Sequence, residues 1–242
     1  RYRAGRSSFD GQSERTAMNE TNAAKVKICG IQELDLLKEV CTLQADYVGF
    51  VLANSRRRVT INVLKELTKY LKSLKSAAPL SAGVFVNPNA EELERIVQEA
   101  PLDIVQLHGQ ESPELCMFVK EKLGCKVAKV VSVKEAEQQQ SLSDIAAPYA
   151  DCIDILLLDT HDPVYGGGSG RTFNWDVIPE MKEWAKKHQI EFMVAGGLNP
   201  DNVRQLMEQH APDSVDVSSG VETDGKKDIN KIKMFIERVK QK

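Results

Sequence analysis

The chain reads as one α/β domain, a single (β/α)8 TIM barrel with parallel strands. Three observations predict this. Eight short apolar, β-rich runs alternate with eight segments of helical period, and no long gap separates them. The runs are near-continuously apolar, as strands covered on both faces are. The 242 residues suit one such barrel. An open doubly wound sheet is the competitor, but it rarely runs to eight regular units without a switch in strand order.

The first strand is Val26-Lys27-Ile28, ending at Cys29-Gly30, and apolar spacing predicts a helix from Ile31 to Cys41. The second strand is Tyr47 to Leu52, followed by a loop holding Arg56-Arg57-Arg58 and a helix over Leu64 to Leu74. The third runs from Ala82 to Val86 and stops at Asn87-Pro88, before a helix from Ala90 to Glu99. The fourth, Asp103 to Leu107, enters His108-Gly109 and precedes a helix over Pro113 to Leu123. Lys126 to Val131 is the fifth strand, with a helix from Lys134 to Ile145. The sixth, Ile153 to Leu158, ends at Asp159-Thr160 and is followed by the glycine-rich loop 166–170 and a helix over Trp175 to Lys187. Glu191 to Ala195 and Ser214 to Val217 are the last two strands, with helices near Pro200 to Gln209 and Asp228 to Val239. Asp228 is placed to cap the last helix.

Residues 1–23 are polar, without hydrophobic period, and include no apolar h-region of a secretory signal. They are expected to be a disordered or expression-derived extension, with Met18 the natural start, and the barrel to occupy 24–242. A net charge of −3 gives no bulk attraction to nucleic acid or membrane. No apolar run reaches the ~20 residues of a membrane span. Five scattered cysteines without a C-x-x-C point to reduced thiols in a cytoplasmic protein. Four scattered histidines spell no zinc site, so no metal is expected.

Two strand ends open into turns of small residues. Ala195 is followed by Gly196-Gly197-Leu198-Asn199-Pro200, and Asp216-Val217 by Ser218-Ser219-Gly220. Such turns can aim backbone N–H groups at one anion, and a helix starting there adds its positive end. Asn199 before Pro200 reads as such a helix start. In (β/α)8 barrels a phosphate is frequently held by the loops after strands 7 and 8. Gly196, Gly197, Ser218, Ser219 and Gly220 are therefore the candidate phosphate site.

The same reasoning puts an active site at the C-terminal ends of the strands. Cys29, the three arginines, His108 and Asp159 all sit there. Each type has an ordinary structural use: a buried thiol, a solvated loop charge, a backbone hydrogen bond, a turn cap. Their meeting at one rim singles them out. Cys29 after strand 1 and Asp159 after strand 6 would flank a small substrate from nearly opposite sides.

Together these stretches resemble the phosphoribosylanthranilate isomerase family. Lys27-Ile28-Cys29-Gly30, Gly49-Phe50-Val51 leading to Ser55-Arg56-Arg57, Gly83 to Asn87 and Gln106 to Gly109 carry the likeness. So do Leu158-Asp159-Thr160, Gly167 to Gly170 with Phe173-Asn174-Trp175, Gly196 to Pro200, and Asp216 to Glu222. It spans about Lys25 to Lys240, the fifth unit excepted. The resemblance implies a monomeric or homodimeric barrel of tryptophan biosynthesis. It implies an Amadori rearrangement of a small phosphoribosyl substrate with no cofactor. It implies Cys29 as general base, Asp159 as general acid and Arg57 as reader of the substrate carboxylate; His108, at the same rim, is expected to be a substrate-binding residue. Arg56 and Arg58 adjoin Arg57 and stay open for its role. Cys29 is expected to be available as thiolate near pH 7, from a reference near 8.5. The loop 166–170 is expected to close as a lid. Two other readings remain at this stage: the related histidine-pathway aminoaldose isomerases, which place paired aspartates where Cys29 stands, and a phosphate-ligand binding protein without catalysis.

Overall fold

The computed structural model describes residues 23–133, 141–160 and 174–241. The eight strands are β1 (Lys25–Cys29), β2 (Tyr47–Val51), β3 (Leu80–Phe85), β4 (Ile104–Leu107), β5 (Lys126–Ser132), β6 (Ile155–Asp159), β7 (Glu191–Ala195) and β8 (Ser214–Val217). They pair in sequence order, all parallel, and β8 closes on β1 with Ile28 opposite Val217. The helices are α1 (Leu34–Thr42), α2 (Ile61–Ser73), α3 (Ala90–Glu99), α4 (Pro113–Phe118), α5 (Leu142–Ala146), α6 (Ile178–Lys187), α7 (Val203–His210) and α8 (Ile229–Lys240). A two-stranded hairpin, β9 (Glu222–Thr223) with β10 (Lys226–Lys227), lies between β8 and α8. The extension expected over 1–23 falls, but for Ala23, outside the described residues. So do the loop 166–170 and the first part of the fifth predicted helix.

Predicted and observed strands agree to within two residues, because each run of apolar residues ends where polar loop residues begin. The helix starts shift more. Asn199 does not cap α7. Its side chain accepts from the N–H groups of Asp201 (2.8 Å) and Asn202 (3.1 Å), one turn ahead of the helix. Asp228 does cap α8, accepting from Asn230 N at 2.9 Å. After α4 the chain continues as a π-turn over Val119–Leu123 and stops at Gly124, whose φ is 67°.

Successive strand residues point to opposite faces. In β1, Val26 and Ile28 join the core between sheet and helices. Lys25, Lys27 and Cys29 therefore climb the inside of the barrel, from its floor to its mouth. At the floor Lys25 Nζ and the Tyr47 hydroxyl both meet Glu191, at 2.6 and 2.8 Å. Above lies an apolar interior cluster that includes Ile104, Val130, Leu157 and Met193. Near the mouth Cys29, Val51 and Val84 form a smaller apolar group. The inward-facing polar residues thus fall mainly into one group at the floor, around Glu191, and one nearer the mouth, around Lys27 and Asp216.

Four aspartates fasten the barrel at its floor in a repeating pattern. Asp46, Asp103, Asp154 and Asp213 each stand just before an even-numbered strand. Each accepts the N–H of a residue in the preceding odd-numbered strand: Val26 (2.8 Å), Ser81 (2.7 Å), Val127 (2.8 Å) and Phe192 (2.9 Å). Charge-assisted bonds of this kind are worth roughly 1.5–3 kcal/mol each. They join the strands in pairs, 1 with 2, 3 with 4, 5 with 6 and 7 with 8, and keep this function away from the mouth.

Candidate active site

The mouth encloses a cavity of about 420 Å³. Cys29, Arg57, His108, Asp159, Gly196, Gly197, Ser218 and Ser219 all line it. Six strand ends supply these residues: β1, β2, β4, β6, β7 and β8. Gly220 stands just behind the rim.

Cys29 is the last residue of β1, opposite Gly49 of β2. The glycine makes room for the thiol, since a Cβ there would come within 2.7 Å of Sγ. Burial pushes the Cys29 thiol up, while the Lys27 and Lys227 charges pull it down and the Asp216 charge raises it further. The net direction is upward, so the resting thiol holds its proton at neutral pH, contrary to the expected thiolate. Lys27 sits one step below and is paired with Asp216 of β8 at 3.1 Å, its side chain 2% exposed. Burial works against the Lys27 charge, but the paired Asp216 carboxylate leads the groups that raise its pKa, and the net direction is upward, so the ammonium stays charged.

Asp159 ends β6. The following residue pins that end: Thr160 N and Oγ1 both donate to the Ala195 carbonyl, at 3.0 and 2.9 Å. His108 follows β4, and its Nδ1 lies 3.4 Å from Gln106 Nε2. Burial lowers the His108 pKa, more than the Asp159 and Asp216 charges raise it, so its ring is neutral at pH 7. The Gln106 Oε1 atom is buried and accepts no hydrogen bond among the described residues.

Of the three adjacent arginines, Arg57 alone lines the cavity. Its guanidinium is already engaged on one edge. Nε and Nη2 donate to the two oxygens of Glu222, at 2.6 and 3.0 Å. Arg56 reaches the same carboxylate from outside at 2.6 Å. Arg58 is exposed and bridges back to Val51 through its backbone.

The two small-residue turns meet each other. A Cβ on Gly220 would overlap the Leu198 carbonyl oxygen, so only glycine lets the loops close to this distance. Gly196 and Gly197 take φ of 95° and 66°, which turns the chain sharply at the cavity wall. Among the described residues, the amides of Gly197, Leu198 and Ser219 donate no hydrogen bond. The helix expected after Ser218 is only a single 3-10 turn, Ser219–Val221, so its dipole is small. Lys227 of β10 donates to the Ser218 carbonyl (2.9 Å) and hydroxyl (3.2 Å) and so fixes the second turn.

A cavity walled by a thiol, a carboxyl, an arginine and a nest of amides suits a small ligand with two anionic ends. Comparison with known proteins gives the family. The profile described as N-(5′-phosphoribosyl)anthranilate (PRA) isomerase matches residues 26–238. The chain belongs to this family. The N-(5′-phosphoribosyl)anthranilate isomerase of Brevibacillus brevis is 41% identical over 217 residues, 89% of this chain and 93% of that one. The crystal structure of the Thermotoga maritima phosphoribosylanthranilate isomerase superposes with a TM-score of 0.74 at 36% identity, covering 90% of this chain and 98% of that one. A phosphoribosylanthranilate isomerase in complex with reduced 1-(o-carboxyphenylamino)-1-deoxyribulose 5-phosphate has a TM-score of 0.72 and 33% identity, with 90% and 98% covered. The chain is thus an isomerase of tryptophan biosynthesis built on a TIM barrel.

Sequence reasoning missed Lys27, Gln106, Asp216, Glu222 and Lys227. The first three had a signal: each is a polar residue within an apolar strand, at an inward-facing position. Glu222 lay within a quoted motif, but nothing local marks its partners, which are remote in sequence.

Proposed function

We propose that this barrel opens the ribose of N-(5′-phosphoribosyl)anthranilate and rearranges it to 1-(2-carboxyphenylamino)-1-deoxyribulose 5-phosphate, with Asp159 as acid and Cys29 as base. The observation that supports it best is the sharing of one cavity by Cys29, Asp159, Arg57 and the paired turns. Asp159 gives a proton to the ring oxygen as the C1′–O bond breaks, and the anilino nitrogen lone pair forms the Schiff base. The Cys29 thiolate takes the C2′ proton, and the freed electron pair makes the enolamine, which tautomerises to the ketone. Every atom of the substrate is retained, as an isomerisation requires.

Both anionic ends of the substrate need holding, because the reacting carbon must lie between acid and base. The amides of Gly196, Gly197, Ser218, Ser219 and Gly220 suit the phosphate. The outer edge of Arg57 suits the carboxylate, and its planar fork favours that geometry. Val51, Val84 and Val86 offer an apolar wall for the aromatic ring. Gln106 and the neutral His108 suit ribose hydroxyls. The Lys27 and Lys227 charges favour the thiolate when the base must act. The catalytic unit in this reading is 24–242, and five free cysteines fit a reducing cytoplasm.

Loss of phosphoribosylanthranilate fluorescence, followed with the purified chain across pH, tests the reading. The substrate should be consumed, while a histidine-pathway aminoaldose should be turned over far more slowly. A base must be deprotonated to act, and burial raises the Cys29 pKa, so in Asp159→Asn, where no acid titrates, the residual log kcat/KM should climb through neutral pH toward alkaline pH. Binding without turnover would contradict the proposal, as would a profile that falls over that range.

A further inference from the structure

Glu222 does not line the cavity, yet it touches three of the cations nearest to it. Its side chain is 5% exposed. Oε1 accepts from Arg57 Nε and from Lys227 Nζ at 2.8 Å; Oε2 accepts from Arg57 Nη2 and from Arg56 Nη2. Its backbone carbonyl is held by Lys231 Nζ at 2.8 Å. One carboxylate is thus set among three positive groups, and the local charge stays positive. Burial would raise the Glu222 pKa, but the hydrogen bonds from Arg57 and Lys227 hold it down at about 2.

The geometry of the Arg57 contact matters more than its charge. A guanidinium has two usable edges and the donors of both lie in one plane. Glu222 occupies the Nε–Nη2 edge. The remaining donors, on Nη1 and the far side of Nη2, then have a fixed direction, and Arg57 is itself a wall of the cavity. The aliphatic stem is pinned from the other side, since a Cβ on Gly30 would come within 2.7 Å of Arg57 Cδ. Without Glu222 the guanidinium could rotate about its last torsions, and ordering it would then oppose ligand binding.

We propose that Glu222 is a positioning residue for substrate recognition: it holds Arg57 by one edge so that the other edge meets the ligand carboxylate. The inference rests on the reading of Arg57 as the carboxylate reader, and its test separates the two. The probes are the reduced product analogue, 1-(2-carboxyphenylamino)-1-deoxyribitol 5-phosphate, and the same compound with phenyl replacing carboxyphenyl. Their Kd ratio on the full chain measures what the carboxylate contributes. The wild-type chain should prefer the carboxylate ligand by about 10- to 100-fold, the range of a charged hydrogen-bonded pair.

Arg57→Ala should bring the ratio near one. Glu222→Ala should lower it by about tenfold relative to wild type, with the Kd of the carboxyl-free ligand changing less than about threefold. Glu222→Gln keeps the volume and one acceptor, and should fall between wild type and Glu222→Ala. It also carries the comparison if the alanine variant does not fold. A wild-type ratio in a folded Glu222 variant overturns the inference, even when both ligands bind more weakly, because that pattern marks a structural role alone. A wild-type ratio in Arg57→Ala overturns the Arg57 reading and the inference with it.

Discussion

Replacing Asp159 by Asn should lower kcat by about 10²- to 10⁴-fold, the usual worth of a positioned general acid. The amide keeps the size of the carboxyl but has no proton to give at that strength. Replacing Cys29 by Ala should have an effect of the same order, since no other group is placed at the end of β1. Both variants should fold normally. Thr160 fixes the end of β6 through its bonds to Ala195, and neither bond involves the Asp159 side chain. The Cys29 thiol lines the open cavity, so its removal widens an existing opening and leaves no sealed void. Circular dichroism and thermal unfolding check the fold, and the substrate-fluorescence assay checks the rate. Near-normal turnover in either variant would remove that residue from the mechanism.

Gly220→Ala should lower kcat/KM by about 10²-fold, chiefly through KM. The added methyl would overlap the Leu198 carbonyl oxygen, which is backbone and cannot swing aside. The turns after β7 and β8 must then separate. Amides that converge on one phosphate would no longer share a focus, although none has been altered chemically. Overpacking of this kind also costs about 1–3 kcal/mol of stability. Steady-state kinetics with denaturant unfolding separates the two effects. A variant with wild-type KM would mean that the phosphate is not held between these turns.

Much of this was legible in the sequence, for identifiable reasons. Parallel strands buried on both faces leave continuous apolar runs, so the eight units and their order could be read directly. Reactive residues at strand ends share one rim by topology, so Cys29, His108 and Asp159 could be grouped without coordinates. Contacts between remote residues could not. The Glu222 hub joins residues about 165 positions apart, and no local period announces it. The upward shift of the Cys29 thiol is equally invisible in the sequence, because its main cause, burial, is a property of the closed barrel. Asn199 shows a smaller limit. Asn-Pro has the chemistry of a helix start, and here it makes a separate turn that precedes α7 and seats Leu198 against Gly220.

The structure of this chain bound to the reduced product analogue tests the central claim most directly. The phosphate should sit on the amides of Gly197 and Ser219, and the carboxylate on the outer edge of Arg57. The Cys29 sulfur and an Asp159 oxygen should then approach the sugar from opposite sides, each within about 3–3.5 Å of its reacting atom. A ligand bound in reverse, with its phosphate on Arg57, would contradict this account, as would one that leaves Cys29 and Asp159 on the same side of the sugar.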